Sequence, residues 1–535
     1  MKKIFLSFVA LVSCVLAASA QPAETTLPYI DKCYTLGEDG SVELRVRMSR
    51  TYNTHSSFFS MFGESFIEYN PEYQSLTINE SYTRQADGTI TKAPANSLNE
   101  VLPRSAAGAP AYNHLKEMVV THVGMELGAT AYLDYTLTSK AEMMDGELDF
   151  TEILPQYASD VRKMTITVNL PEGKTLRAAT IDATGKCKTQ VIKGSYTWTF
   201  SDLKGFYRES GAPAEIGKAR LYATTFRTLD DAIRTMYYDT RDIFRLDPAR
   251  MGDDKVSSVA TYVRDMVATI SINPALTGYR HAPARVVDAR CYGSSLDKLF
   301  MLNKMVLAEG VECDLMVQYP ADCPVKNLSG HTAVAVKATI DGKTTWFDHN
   351  GSSFDPTAKA DRYVWISMIS GKAESLEHKA DIAENSYNIA IAGSKAVITT
   401  NGNEASKREE SIVEVDGTTG VMQIAVPLTS DGISSLGTLN TLRREPFELY
   451  NAVNRKESYV ITLDSGKFLT SPRTESVKNS VGKASYTIEV DGATATITRT
   501  IAIDKSIIYP SEWAQLRALI LAYAAPKTAR TLLAK

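Results

Sequence analysis

The chain has 535 residues, too many for one hydrophobic core, and its length points to about three or four domains. With 44% hydrophobic and 22% charged residues it has the composition of a folded protein, not of a disordered or repetitive one. A formal net charge of -4 leaves no basic footprint, which argues against a nucleic-acid partner.

The first twenty residues read as a secretion signal. Lys2 and Lys3 give a positive start, Ile4 to Leu16 a short apolar run, and Ala18-Ser19-Ala20 a small-residue cleavage pattern before Gln21. The run is too short for a membrane-spanning helix, and no later segment is long and apolar enough. The expected location is therefore the periplasm or the cell surface. A minority alternative takes Leu11-Val12-Ser13-Cys14 as a lipoprotein anchoring site, against which the apolar residues after Cys14 argue.

From about Leu27 to Leu221 the hydrophobic period is two. Val42, Leu44, Val46 and Met48 alternate with polar residues, as do Met164, Ile166, Val168 and Leu170, and then Tyr196, Trp198 and Phe200. Such runs predict half-buried strands of a β-sandwich or related antiparallel fold, with the aromatics in its core. From about Thr225 to Ile270 the period becomes helical, with Leu229, Ile233 and Met236 on one face and Val259, Val263 and Val267 on another.

A mixed region follows. Ala289 to Lys298 leads into an apolar helix with Leu299, Leu302 and Val306 on one stripe, stopped at Gly310. Strands are expected over Asp314–Tyr319, from Thr332 to Ile340, and over Thr344–Asp348, the last two joined at Asp341-Gly342. From about Ser386 alternation returns, with Tyr459, Ile461 and Leu463 on one strand face and Ser485–Val490 as another strand. A helix from Pro510 to about Ala525 closes the pattern, with Leu516, Leu519 and Ile520 facing the body.

The cysteines beyond the signal are Cys33, Cys187, Cys291, Cys313 and Cys323, an odd number for an oxidising compartment; Cys313 and Cys323 are near enough in sequence to bridge. With no C-x-x-C, no H-E-x-x-H and seven scattered histidines, neither a metal nor a cofactor is expected.

The helix start at Ser294-Ser295, then His331 opening a strand, then Asp348 on the next strand, follow the order of a papain-type triad. The order resembles that of bacterial envelope transglutaminase-like proteins, whose pattern runs roughly Y-G-D-C-K-D-K, an apolar helix, G-I-x-A, then N-H and W/Y-x-D. Here Tyr292 to Lys298 reads Y-G-S-S-L-D-K, Gly310-Val311-Glu312-Cys313 stands for the third block, and Gly330-His331 and Trp346-Phe347-Asp348 fill the others. The β-rich segment before the core resembles the uncharacterised domain that precedes it in such proteins, and the stretch from Arg443 onward their C-terminal β-domain.

The resemblance implies an α+β, transglutaminase-like central core flanked by two β-rich, sandwich-like domains. Its expected boundaries are a signal at 1–20, an N-terminal β-rich domain at 21–222, and a helical lead-in and core at 223–370. A C-terminal β-domain at 371–510 and a terminal helix at 511–535 complete it. The alignment puts Ser295 where the family has its nucleophilic cysteine. A thiolate is stabilised by a helix terminus and a nearby imidazolium; a serine hydroxyl needs His331 as base and Asp348 to orient it.

The expected function is a catalytically degenerate domain that binds a peptide, a protein or a cell-envelope polymer. One alternative is an active peptidase, amidase or acyltransferase using Ser295, His331 and Asp348, or using Cys291, four residues upstream, as nucleophile. Another is a structural assembly role, which a groove plugged by the loop from Pro320 to Leu328 would favour. Taken singly, Ser294 and Ser295 read as helix caps, His331 as a bonded strand histidine and Asp348 as a turn cap. A simple two-residue turn at Asp341-Gly342 would set Asp348 opposite Ala335, too far from His331 for contact; a bulge would be needed to join them.

Overall fold

The structure is a computed structural model describing residues 23–59, 61–182, 185–236, 243–340, 342–377, 381–401, 403–427, 442–524 and 530–535. The expected secretion signal and Cys14 lie outside them. The chain divides into two compact units, the first formed by 1–207, 215–356 and 362–375, the second by 208–214, 357–361 and 376–535.

The first unit is β-rich at its N-terminal end. Its largest sheet has eight strands, ordered Lys188–Ile192, Ser195–Leu203, Ser159–Asn169, Thr25–Leu36, Val42–Tyr52, Thr130–Ser139, Gln74–Arg84 and Ile90–Lys92. The predicted alternation sets its packing: Val161, Met164, Ile166, Val168, Trp198 and Phe200 are all buried in one core cluster. The sheet is not purely antiparallel, as the alternation alone suggested. Thr25–Leu36 runs parallel to Ser159–Asn169, because the more than one hundred intervening residues supply the crossover that a parallel pair requires. Glu64–Tyr69, Lys116–Thr121 and Leu98–Val101 form one small sheet; Arg177–Ile181, Arg220–Thr224 and Asp149–Ile153 form another.

The rest of this unit is a helix-on-sheet layer. Its five antiparallel strands run in the order Ser353–Phe354, Lys343–Asp348, Ala333–Ile340, Glu312–Pro320 and Tyr363–Ser367. Helices Leu229–Met236, Lys255–Met266, Ala284–Arg290 and Ser295–Ala308 accompany it. The sequence reads the helix at Ser295–Ala308 as apolar, with one stripe of large side chains. It is buried almost all round, Asp297, Lys298, Asn303 and Lys304 included, which is the pattern of a central helix. Its apolar residues share a core with Leu315, Val317, Val334, Val336 and Ala338 of the sheet.

The second unit is built on a seven-stranded sheet, ordered Asn403–Glu410, Lys395–Thr400, Asp381–Ala392, Val453–Leu463, Thr494–Ile503, Gly482–Asp491 and Arg473–Lys478. It too contains a parallel pair, Asp381–Ala392 with Val453–Leu463. The helix Trp513–Ala524 packs Leu516, Leu519, Ile520 and Tyr523 against this sheet. Beyond it, Thr531–Ala534 returns as a strand beside Met422–Ala425. A buried ion pair crosses this core: Arg499 Nε donates to Glu457 Oε2 at 2.8 Å, Tyr459 donates to the same oxygen at 2.7 Å, and the guanidinium lies 4.2 Å from the Tyr523 ring.

All five described cysteines are free thiols, so Cys313 and Cys323 do not bridge. Each is buried against its own partner: Asn303 Nδ2 donates to Cys313 Sγ at 3.1 Å, and Cys323 donates to the Val325 carbonyl at 3.2 Å.

Candidate functional site

Two helices, Ala284–Arg290 and Ser295–Ala308, meet where the sequence reading expects a nucleophile. Ala284–Arg290 ends at Cys291, which adopts a left-handed conformation at φ 56° and is exposed. Its thiol donates to the Asp288 carbonyl at 3.4 Å. Cys291 thus stands at a helix C-terminus, opposite in polarity to the N-terminus that favours a thiolate. After Tyr292 and Gly293 the chain re-enters a helix. A side chain at Gly293 would meet the Asp297 Cβ at 2.8 Å, so glycine is required for the close approach.

Ser294 caps the new helix. Its hydroxyl accepts from Asp297 N at 3.1 Å, and Asp297 Oδ2 accepts from Ser294 N at 2.8 Å, a reciprocal capping box. Ser295 is therefore the first helical residue, half-buried, and among the described residues its hydroxyl makes no hydrogen bond.

Asp297 is the most heavily bonded group here. Besides the cap, it accepts from Tyr112 Oη and Arg290 Nη2, both at 2.6 Å, and from Ala282 N at 2.6 Å. Burial and this carboxylate push the Tyr112 hydroxyl up to about 12. Lys298, also buried, donates to the Val267 carbonyl at 2.6 Å, Thr269 Oγ1 at 3.0 Å and Asn350 Oδ1 at 3.1 Å. Desolvation lowers its pKa, and the charge of Asp348 opposes that shift.

His331 sits at the entry to the Ala333–Ile340 strand. Its Nδ1 lies 2.6 Å from the Leu328 carbonyl; a carbonyl only accepts, so Nδ1 carries the proton and Nε2 is left as the acceptor. Its ring meets Tyr279 edge-on at 6.2 Å, and desolvation lowers its pKa.

Asp348 ends the neighbouring strand. Asp341 of the expected turn lies outside the described residues; Ile340 pairs with Lys343, and Asp348 stands opposite Ala335. Along a strand the four residues from Ala335 back to His331 span about 13 Å. On its face, the diagonal neighbours of Asp348 are Ala333 and Lys337. Asp348 Oδ1 instead accepts from Asn350 N and Ser352 N, both at 2.9 Å, as a turn cap.

Thus His331 and Asp348 are each hydrogen-bonded, but not to one another and not to Ser295. The residues that sequence reasoning missed are Lys298, Thr269 and Asn350, a polar knot one turn along the helix from Ser295. Nothing in the sequence signalled that Val267 would offer its carbonyl to Lys298. His349, beside Asp348, is half-buried, and desolvation lowers its pKa.

The loop from Pro320 to Leu328 turns onto the Asp149–Ile153 strand. Asn327 is fully buried and its Nδ2 donates to the Phe150 carbonyl at 3.0 Å, while Asp149 accepts from Ser329 N at 2.9 Å and Leu328 N at 3.1 Å. Burial raises the Asp149 pKa and these donors oppose the rise. Among the described residues no cluster of histidine, cysteine, aspartate and glutamate could hold a metal ion, and no helix is long and apolar enough to cross a membrane.

Two domain families of unknown function match the chain, each with a solved structure: DUF3857 over residues 38–207 and DUF3858 over residues 422–533. A crystal structure described as a "putative protease" from Parabacteroides distasonis is 30% identical, with a TM-score of 0.77 over 96% of this chain and 100% of that one. An M1 zinc metallopeptidase from Deinococcus radiodurans is 10% identical over 47% of this chain and 57% of its own, with a TM-score of 0.19, too low to inform the fold. Among curated proteins none matches.

Proposed function

The chain belongs to the bacterial family represented by that Parabacteroides protein, and we propose that it is an exported, transglutaminase-like member whose papain-type site has lost its chemistry and binds a peptide or cell-envelope polymer. The observation that carries this reading is the strand register. With Asp348 opposite Ala335, its carboxylate is spent on a turn and its diagonal neighbour toward the loop is an alanine, which can neither take nor give a proton.

Ser295 supports the reading from the other side. A hydroxyl with no base within hydrogen-bond reach is a weak nucleophile at neutral pH. The half-buried hydroxyl at a helix N-terminus can still donate to a ligand carbonyl or carboxylate. Recognition of a polyamide or an acylated sugar therefore needs none of the missing groups.

One observation favours the rival, an active hydrolase of the kind the relative's description suggests. His331 Nε2 is unprotonated and available as a base, held by the Leu328 carbonyl in place of a carboxylate.

Intact-mass labelling with a fluorophosphonate separates the two, run on the mature protein beside Ser295→Ala and His331→Ala. The degenerate reading expects no adduct on the parent beyond that of the Ser295→Ala variant. A stoichiometric adduct on the parent that both variants abolish would overturn it in favour of a working serine.

A further inference from the structure

A second region has the makings of a ligand site and shares no lining residue with the Ser295 helix. Between the eight-stranded sheet and the small sheet that begins at Glu64 lies a cavity of about 330 Å³. Its walls are largely apolar, from Met48, Phe62, Ile67, Leu133 and Tyr157. Met61 and Phe66 also line it, and both are half exposed, at 51% and 49%, as a monomeric surface seldom leaves two large apolar side chains together.

One cation lines this cavity without a counter-charge. Arg50 comes from the Val42–Tyr52 strand, and its guanidinium lies 5.2 Å from the Phe62 ring centroid. Its Nε is buried with no hydrogen-bond partner, and among the described residues Arg50 makes no ion pair. Desolvation lowers its pKa, the mark of a charge held away from water.

The other charges of the wall are already engaged. Lys32 donates to both oxygens of Glu152, at 2.6 and 2.7 Å. Glu64 accepts from Thr121 at 3.2 Å. A guanidinium so placed is favourable only if an acceptor arrives, and its planar fork matches a carboxylate. With one cation unspent and an acidic group nearby, the site suits a single negative charge and disfavours a phosphate. A volume near 300 Å³ suits one small apolar body.

We propose that this cavity binds an apolar monocarboxylate, its carboxylate on Arg50 and its body against Met48, Phe62 and Leu133. Two sources present that chemistry: a free organic acid, or the C-terminal residue of an apolar peptide.

Calorimetric titration of the mature protein tests it with 3-phenylpropionate and 3-phenylpropionamide, and with Gly-Ala-Phe as free acid and as amide. Each acid should bind at least about tenfold more tightly than its amide. Arg50→Met should erase that preference, and Met61→Asp, at an exposed rim position where folding is not at stake, should weaken the acids alone. A stronger signal from the peptide acid assigns the site to chain termini, and a stronger signal from phenylpropionate to free acids. Equal binding of acid and amide, no binding of either acid, or an acid preference that survives Arg50→Met would overturn the proposal.

Discussion

Tyr112 and Asp297, 185 residues apart in sequence, are joined by a hydrogen bond of 2.6 Å between the phenol and a carboxylate that also caps the Ser295 helix. Tyr112 belongs to a loop of the N-terminal β-rich region, and with Ala106, Ala109 and Leu115 it packs on Ile272 and Leu276. The helix start is thus fixed by residues from outside its own layer. Tyr112→Phe should cost about 2 kcal/mol, the scale of a buried hydrogen bond to a charge, read as a lower urea midpoint with an unchanged slope. An unaltered midpoint would mean that the bond contributes nothing net.

Asp297 itself should matter more. Asp297→Asn keeps the size but leaves Arg290, largely shielded beside it, without its counter-charge. Removing one partner of a buried pair costs about 3–5 kcal/mol. The same expectation holds in the second unit for Glu457→Gln, which strands Arg499, whose side chain is fully buried. Thermal unfolding should fall in both variants; a fall confined to one would show that the other pair is replaceable by neutral hydrogen bonds.

The degenerate-site reading makes a constructive prediction. A thiol at Ser295 should stay slow toward alkylation at neutral pH, because the register does not bring His331 beside Asp348. Adding Ala333→His to Ser295→Cys places a ring on the diagonal of Asp348, and alkylation should quicken by about tenfold or more as thiolate becomes populated. Equal rates in the single and double variants would count against this frame.

His122 should make stability depend on pH. It is buried, with Nε2 2.9 Å from Ser65 Oγ, and desolvation, with the Arg50 charge adding to it, takes its pKa from 6.5 to about 4. In that window the unfolded chain binds a proton that the native state refuses, so stability is full above about 6.5 and falls as pH drops toward 4, by about 3 kcal/mol in total. His122→Gln should flatten the dependence of the urea midpoint between those limits. His331 and His349, also lowered by burial, leave a residual slope of the same sign. A slope unchanged by the substitution would refute the assignment.

What sequence determined was local. Periods of two and of helical spacing placed the strands at Val42, Ser159, Ser195 and Val453 and the helices at Leu229, Lys255 and Trp513, because burial on one face leaves its mark on consecutive residues. Ser294 and Ser295 marked the start of the central helix, since cap chemistry acts within one turn.

Tertiary structure decided everything that depends on residues far apart in the chain. The parallel pairings, the all-round burial of Ser295–Ala308 and the lodging of Lys298 against Val267 follow from which surfaces meet, and alternation does not encode that. The three residues read as a triad were in family order, but whether they touch turns on register. A strand side chain has its neighbours set by pairing, and each two-residue step along the strand moves it by about 7 Å, beyond the reach of a hydrogen bond. The pairing of Ile340 with Lys343 sets that register, leaving His331 with the Leu328 carbonyl and Asp348 with its own turn.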